Sequence, residues 1–272
     1  MIKFYKFLLI IISSYSIQAE ASLQKTSDQT IHLENIKCLN QRLLSLDGGG
    51  VRGIVTARIL KEFEVRTGKA ISQLFDLASG TSTGSLMILG LFTPDHDLRP
   101  KYSAEYFIEL YKKLSKEIFE KEISRDIYTG FGLWGAKYDR KEFDKILENI
   151  FQDIKISQVI APLFIPVYLL TEEKPIIISS ELAKINKTED FYIRDVAAAA
   201  SSAPTYFAPK VFQNIDKTIT HVGVDGGLYA NDPVIITSLG LYESCHKINT
   251  NNTIFVSIGT GEVNKELSLS SG

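Results

Sequence analysis

At 272 residues and 44% hydrophobic composition, the chain is long enough for one large domain or two small ones, and for a sizeable buried core. Its 30 basic and 32 acidic residues are spread along the sequence to a formal charge of -2, so it carries no basic face for a polynucleotide and no nucleic-acid partner is expected. Neither does this composition describe a disordered chain.

The N-terminal segment stands apart. Lys3 and Lys6 precede an apolar stretch from Phe7 to Ile12, and Ala19-Glu20-Ala21 supplies a small-x-small cleavage site. Residues 1–21 therefore read as a signal peptide cleaved after Ala21, with a secreted or periplasmic destination. The alternative, a membrane anchor, needs about 20 apolar residues, and Ser13, Ser14, Ser16 and Gln18 interrupt the stretch. Export permits a disulfide between Cys38 and Cys245, but their spacing leaves a bond and two unpaired buried thiols equally open. Cys38 lies too far beyond the apolar stretch to carry a lipid anchor. Residues 22–41 are polar and aperiodic and read as an arm or linker.

Regular structure is expected from Arg42. The run Arg42–Leu46 suits a buried strand meeting the turn Asp47-Gly48-Gly49-Gly50, and Ile54–Arg66 has helical apolar spacing with Gly68 as a stop. A second unit follows: strand Leu74–Ala78, turn Ser79–Gly84 and apolar helix Ser85–Phe92. This alternation predicts an α/β fold, three layers α/β/α around a mainly parallel sheet, with ligands at the carboxyl ends of the strands. Residues 94–157 read as a variable helical insertion. It holds an amphipathic helix (Phe107, Leu110, Tyr111, Leu114 and Ile118 on one face), a glycine- and aromatic-rich run from Tyr128 to Gly135 that suits a mobile cover, and a helix over Arg140–Phe151. Beyond it come a strand pair, Phe164–Leu170 and Ile176–Ile178, and an alanine-rich helix, Ile193–Ser201. An apolar approach to Asp225-Gly226-Gly227, a helix over Ile235–Tyr242 and a strand over Thr253–Ile258 complete the pattern, which contains no internal repeat.

Gly80-x-Ser82-x-Gly84 lies between a strand and a helix, as a nucleophile elbow requires. With glycine at about 7% of residues, a given serine has about one chance in two hundred of such flanks. The plainer alternative is a tight strand-to-helix turn with Ser82 as a cap. The loop Gly48-x-Gly50-x-x-Gly53 formally satisfies a dinucleotide fingerprint, with Asp76 about twenty residues on. Against that, Asp76 is expected inside its strand, with Leu77 and Ala78 still to come, whereas a ribose-binding acid sits at the strand's end. As a hydrolase loop, the same glycines offer N–H donors beside Ser82 for an oxyanion. Arg52 supports this loop or meets a phosphate, and both roles stay open. Of the four histidines, at 32, 96, 221 and 246, only His246 follows the other motifs, and it ends a helix without a turn to present it. Asp225 on its glycine turn is the better proton acceptor, although an ordinary Asp-Gly turn looks the same. Asp95-His96-Asp97 reads as a solvated loop rather than a metal site.

DGGGVRG (47–53), GTSTG (80–84) and DGG (225–227), in this order, resemble the patatin-like phospholipases. AAAASSAPTYFAP (197–209) and SIGTG (257–261) resemble later blocks of the same family, so the resemblance spans roughly 42–261, and the domain 42–272 is expected to be patatin-like. It implies a Ser82-Asp225 dyad without histidine, an oxyanion hole from Gly48, Gly49 and Gly50, elbow glycines Gly80 and Gly84, hydrolysis of fatty-acyl esters of membrane phospholipids or related lipids, and no metal or cofactor. Many members of that family continue with further helices beyond the block that ends here at Gly261.

Overall fold

Seven strands form one sheet in the computed structural model, which describes residues 41–119, 140–245 and 252–261. They are β1 (Arg42–Leu46), β2 (Leu77–Gly80), β3 (Leu163–Leu169), β4 (Lys174–Ser179), β5 (Lys210–Gln213), β6 (Thr220–Asp225) and β7 (Ile254–Ile258). The order is β5-β6-β3-β2-β1-β7, with β4 also on β3. Pairings β1 to β2, β1 to β7 and β2 to β3 are parallel, while β3 to β4, β3 to β6 and β5 to β6 are antiparallel. The α/β class is as expected, but the sheet is mixed, because a hairpin joins β3 to β4 and a second hairpin adds β5 and β6.

Among the described residues, eight helices cover it: α1 (Gly53–Thr67), α2 (Ile71–Leu74), α3 (Thr83–Leu91), α4 (Ala104–Phe119), α5 (Arg140–Phe151), α6 (Ser180–Ile185), α7 (Ile193–Ala200) and α8 (Val234–Ser244). The strand pleat sends alternate side chains to opposite faces. Leu44, Leu46, Ala78 and Ile165 join the main core with α1, α3, α4, α5 and α7. Leu43, Leu77 and Phe164 are buried on the other face, where Gly240 of α8 packs so close to the Phe164 ring that a Cβ would lie 2.5 Å from it. Two covered faces explain why β1 and β2 read as unbroken runs of apolar and small residues.

The second unit starts differently from expectation. Ile71–Leu74 is a helical turn, and β2 begins only at Leu77. Gln73 Oε1 accepts from the Ala70 N–H at 3.0 Å and Glu64 from the Ile71 N–H at 3.3 Å, which satisfies the N-terminal donors of that turn. Asp76 thus precedes its strand, where its carboxylate takes both arms of the Arg42 guanidinium, at 2.6 and 2.9 Å. Gly68, at φ 66°, ends α1 in the left-handed conformation, as its position predicted.

One topological detail positions everything that follows. A strand has two edges, and β4 takes one edge of β3 along Phe164–Leu169. On the other edge β2 pairs at Leu163 and Phe164, and β6 pairs at Val167, Tyr168 and Leu169. Since β2 runs parallel and β6 antiparallel to β3, their carboxyl ends meet head to head beside Pro166. Gly226 is the residue at that junction: a Cβ there would lie 2.7 Å from the Pro166 carbonyl carbon and its Cβ, so no larger residue fits.

Candidate active site

Ser82 sits at the tip of the turn between β2 and α3 with φ 53° and ψ -118°, a conformation that costs a non-glycine residue on the order of 1–3 kcal/mol. The surroundings enforce it. Thr81 is fixed by its N–H to the Leu46 carbonyl at 3.0 Å and by its hydroxyl to the Ala230 carbonyl at 2.6 Å. A Cβ on Gly80 would lie 2.5 Å from the Gly84 carbonyl, and one on Gly84 would overlap the Leu46 carbonyl. Gly84→Ala is therefore expected to cost roughly 3 kcal/mol or more, because backbone must move to admit the methyl. Urea unfolding is the check, and a loss below about 1 kcal/mol would contradict the tight turn.

Asp225 ends β6 and is only 4% exposed. The Ser82 side chain lies beside its carboxylate, the Gly227 N–H donates to Oδ1 at 2.8 Å, and the Asp225 N–H is held by the Ser202 carbonyl at 3.1 Å. Burial pushes this carboxyl above its ordinary pKa, and the neighbouring Ser82 side chain and Gly227 N–H offset that only in part. Head-to-head packing of β2 and β6 is what brings Ser82 and Asp225 together.

The glycine loop lies against this pair. Gly48 gives its N–H to the Asn231 carbonyl at 3.0 Å, its own carbonyl accepts from the Thr260 hydroxyl at 3.1 Å, and a Cβ there would lie 3.3 Å from the Ser82 Cβ. Gly49 and Gly50 border the cavity above Ser82, and Gly50 requires φ 57°. Gly53, the third glycine of the dinucleotide-like spacing, has a packing reason instead: a Cβ would overlap the Thr83 hydroxyl and lie 3.1 Å from the Tyr111 ring. Asp76 is at the opposite end of β2 from Ser82 and is paired with Arg42, so it offers no ribose contact.

A cavity of about 660 Å³ opens over these groups and is bordered by Ser82, Asp225, Gly49, Gly50, Arg52 and Asn231. Its deeper wall is apolar, from Leu86, Tyr111, Leu114, Phe143 and Phe207. This volume lies within the range of small-ligand sites. The amphipathic helix α4 thus packs its apolar face inward, with Phe107, Tyr111 and Leu114 buried, and contributes wall rather than a separate surface. Tyr111 hydrogen-bonds Thr83, beside Ser82, and burial pushes its hydroxyl up to about 12, so it stays protonated at neutral pH. The Tyr128 to Gly135 run lies outside the described residues.

Several residues that hold this site were not singled out in the sequence. Arg140, at the start of α5, hydrogen-bonds the Ser202 hydroxyl, the Ala198 carbonyl at 3.3 Å and the Ala208 carbonyl at 2.6 Å. It braces the loop that carries Ala203, Tyr206 and Phe207, and through Ser202 it reaches the strand end at Asp225. The only sequence signal was an arginine opening an amphipathic helix, which ordinarily means a solvated residue. Asn231 and Thr260 grip Gly48 from two distant loops, and no local pattern announces such a contact.

Asp47 lies behind the loop with Oδ1 buried and without a hydrogen-bond partner. Burial, then the neighbouring Asp232 charge, push its carboxyl to about 6. A raised carboxyl stabilises the fold fully below about pH 4, and that contribution is lost as pH rises through 6. Asp47→Asn is accordingly expected to raise Tm at pH 8 by ~2–4 °C, allowing for solvent screening of a partly exposed group, and to leave Tm at pH 4 unchanged. Thermal melts at the two pH values test this, and an equal shift at both would contradict it.

No histidine lines the cavity among the described residues. His221 is bonded to Glu172 at 3.0 Å, and His32 and His246 lie outside the described residues. Asp95 and Asp97 both pair with Arg99, at 3.3 and 2.6 Å. Among the described residues no group of three or more His, Cys, Asp or Glu is placed to hold a metal ion, and no helix is long and apolar enough to cross a membrane. Cys245 is disulfide-bonded, while Cys38 lies outside the described residues.

The mixed α/β sheet carries a strained serine turn beside a buried aspartate, and sequence comparison gives the family. The patatin-like phospholipase profile matches residues 44–237, and the chain belongs to that family. Patatin-like protein 4 of Arabidopsis thaliana is 30% identical over 241 residues, covering 82% of this chain and 60% of its own length. Probable inactive patatin-3-Kuras 1 of Solanum tuberosum is 30% identical over 240 residues, with 80% and 62% covered. The chain thus spans about 60% of the length of these relatives. Among solved structures, VipD from Legionella pneumophila matches 81% of this chain and 50% of its own, at 13% identity and a TM-score of 0.41.

Proposed function

We propose that the chain is a serine hydrolase of fatty-acyl esters in lipids, with membrane phospholipids as the substrate class, acting through Ser82 and Asp225. The observation that carries this reading is the strained Ser82 set beside the buried Asp225 carboxylate on the wall of one cavity, with an apolar patch from Leu86, Leu114, Phe143 and Phe207. Ser82 Oγ attacks the ester carbonyl while Asp225 takes its proton. The resulting oxyanion is held by N–H groups of Gly49 and Gly50, since that of Gly48 is engaged by Asn231, and by the N-terminal end of the α3 dipole. Collapse expels the alcohol, which takes the proton back from Asp225. A water then attacks the acyl-serine with Asp225 as base, releasing the fatty acid and restoring the serine. The elevated pKa of Asp225 brings it closer to the proton affinity that both steps require. Export, argued from residues 1–21, belongs to the same proposal.

A second reading, a catalytically silent lipid binder, draws support from the relative described as inactive. Fluorophosphonate labelling separates the two. The folded protein is expected to be labelled at Ser82, and Ser82→Ala is not. Absence of labelling in the folded parent protein would overturn the hydrolase reading.

A further inference from the structure

α1 has two apolar faces, and only one is needed by the core. Gly53, Thr56, Ala57 and Leu60 are buried against the sheet and its neighbours. On the outer side Val55 and Ile59 are 44% and 40% exposed, and Val51, in the 3-10 turn Gly50–Arg52 that leads into the helix, is 43% exposed. The four-residue spacing places Val55 and Ile59 on one stripe of the helix, and Val51 extends the apolar surface from the turn before it. At roughly 100° per residue Arg58 projects about 60° to one side of Val55, and Arg52 stands in the turn at the start of the helix, so cations adjoin the stripe. Both arginines are exposed. The stripe ends at Glu62, which pairs with Arg66 at 3.3 Å. Its other end is the mouth of the catalytic cavity, because Val51 and Arg52 border it. Across that mouth stand Tyr206 and Leu228, 49% and 56% exposed, which also border the cavity.

We propose that this stripe and the cavity rim form a docking face for an anionic lipid bilayer, an inference that rests on the hydrolase reading of the cavity. Aliphatic side chains with guanidinium groups beside them match the two layers of a bilayer surface: the valines and isoleucine enter the acyl boundary, and the arginines meet phosphates. The face is continuous with the cavity rim. A lipid can therefore move its ester to Ser82 along apolar wall without its acyl chain crossing water.

The test uses the full chain as Ser82→Ala, so that vesicles stay intact, in flotation with phosphatidylcholine vesicles containing phosphatidylglycerol and with phosphatidylcholine alone. Binding is expected to favour the anionic vesicles. Val55→Asp with Ile59→Asp, neither of which touches the cavity, is expected to weaken it about tenfold or more, and Arg58→Gln to narrow the preference. On the Ser82 background the double variant is expected to keep its Tm and its hydrolysis of a soluble short-chain ester while losing hydrolysis of vesicles. Vesicle binding within about twofold of the parent overturns the proposal. So does a parent dimer in sedimentation that the double variant disperses, since the stripe would then face a second copy. Absence of soluble-ester hydrolysis in the parent strikes the hydrolase reading instead, and the flotation result stands apart from it.

Discussion

Replacing Ser82 by glycine is expected to give a folded protein that melts about 2–4 °C higher than Ser82→Ala and hydrolyses acyl esters at least ~10³-fold more slowly than the parent. The rate loss follows from removal of the attacking oxygen, which no neighbour replaces: Ser79 and Ser85 are fully buried, and the Ser85 hydroxyl is spent on the Gly80 carbonyl at 2.7 Å. The stability difference follows from φ 53° at this position. Alanine keeps the Cβ and therefore keeps the strain, whereas glycine occupies positive φ freely and offsets part of that gain with the larger entropy of its unfolded state. Both variants lose the hydroxyl beside Asp225, so the comparison isolates the backbone. Paired melts with initial rates on one soluble ester suffice. A glycine variant melting below the alanine variant would mean that the turn is relaxed.

Asp225→Asn is the second large effect, again at least ~10³-fold in kcat/KM. Asparagine keeps the shape and accepts the Gly227 N–H, but it cannot take a proton. In the parent, burial raises the carboxyl, so the activity should rise with pH along a limb displaced above the ordinary carboxylate range near about 3.9. The same shift has a stability sign. A carboxyl raised in the folded state contributes most below its unfolded pKa and loses that contribution as pH rises through the folded one. Asp225→Asn is thus expected to match or exceed the parent's Tm at pH 8 while being nearly inactive. His246→Ala should leave turnover within about twofold. Loss of activity in a folded His246 variant would replace the dyad with a triad.

The serine half of the site was legible because its causes are local. A strained turn between a strand and a helix needs small residues at fixed offsets, and Gly80, Ser82 and Gly84 write that need into five consecutive positions. The aspartate half was not legible from Asp225-Gly226-Gly227 alone. The reason for Gly226 is the Pro166 carbonyl, which belongs to a strand far away in sequence. The helices over Arg140–Phe151 and Ile193–Ser201 were readable in the sequence, the second from its run of alanines, which are strong helix formers and are all buried here. The turn at Ile71–Leu74 was not, because side-chain caps rather than apolar rhythm decide it. Nor was β5, four residues with only Phe212 buried, which pairs with β6 across a turn tied together by Asn214 and Thr218.

The head-to-head meeting of β2 and β6 on one edge of β3 also sets an order of events in folding. β1, α1, β2 and α3 can assemble from neighbouring stretches of chain and form the serine turn early. Asp225 arrives only when β6, after the whole middle of the sequence, has docked antiparallel on β3. Contacts so distant along the chain form slowly. During refolding, recovery of helical signal should precede recovery of turnover, and a nascent chain that has not yet completed β6 carries its serine without the means to use it.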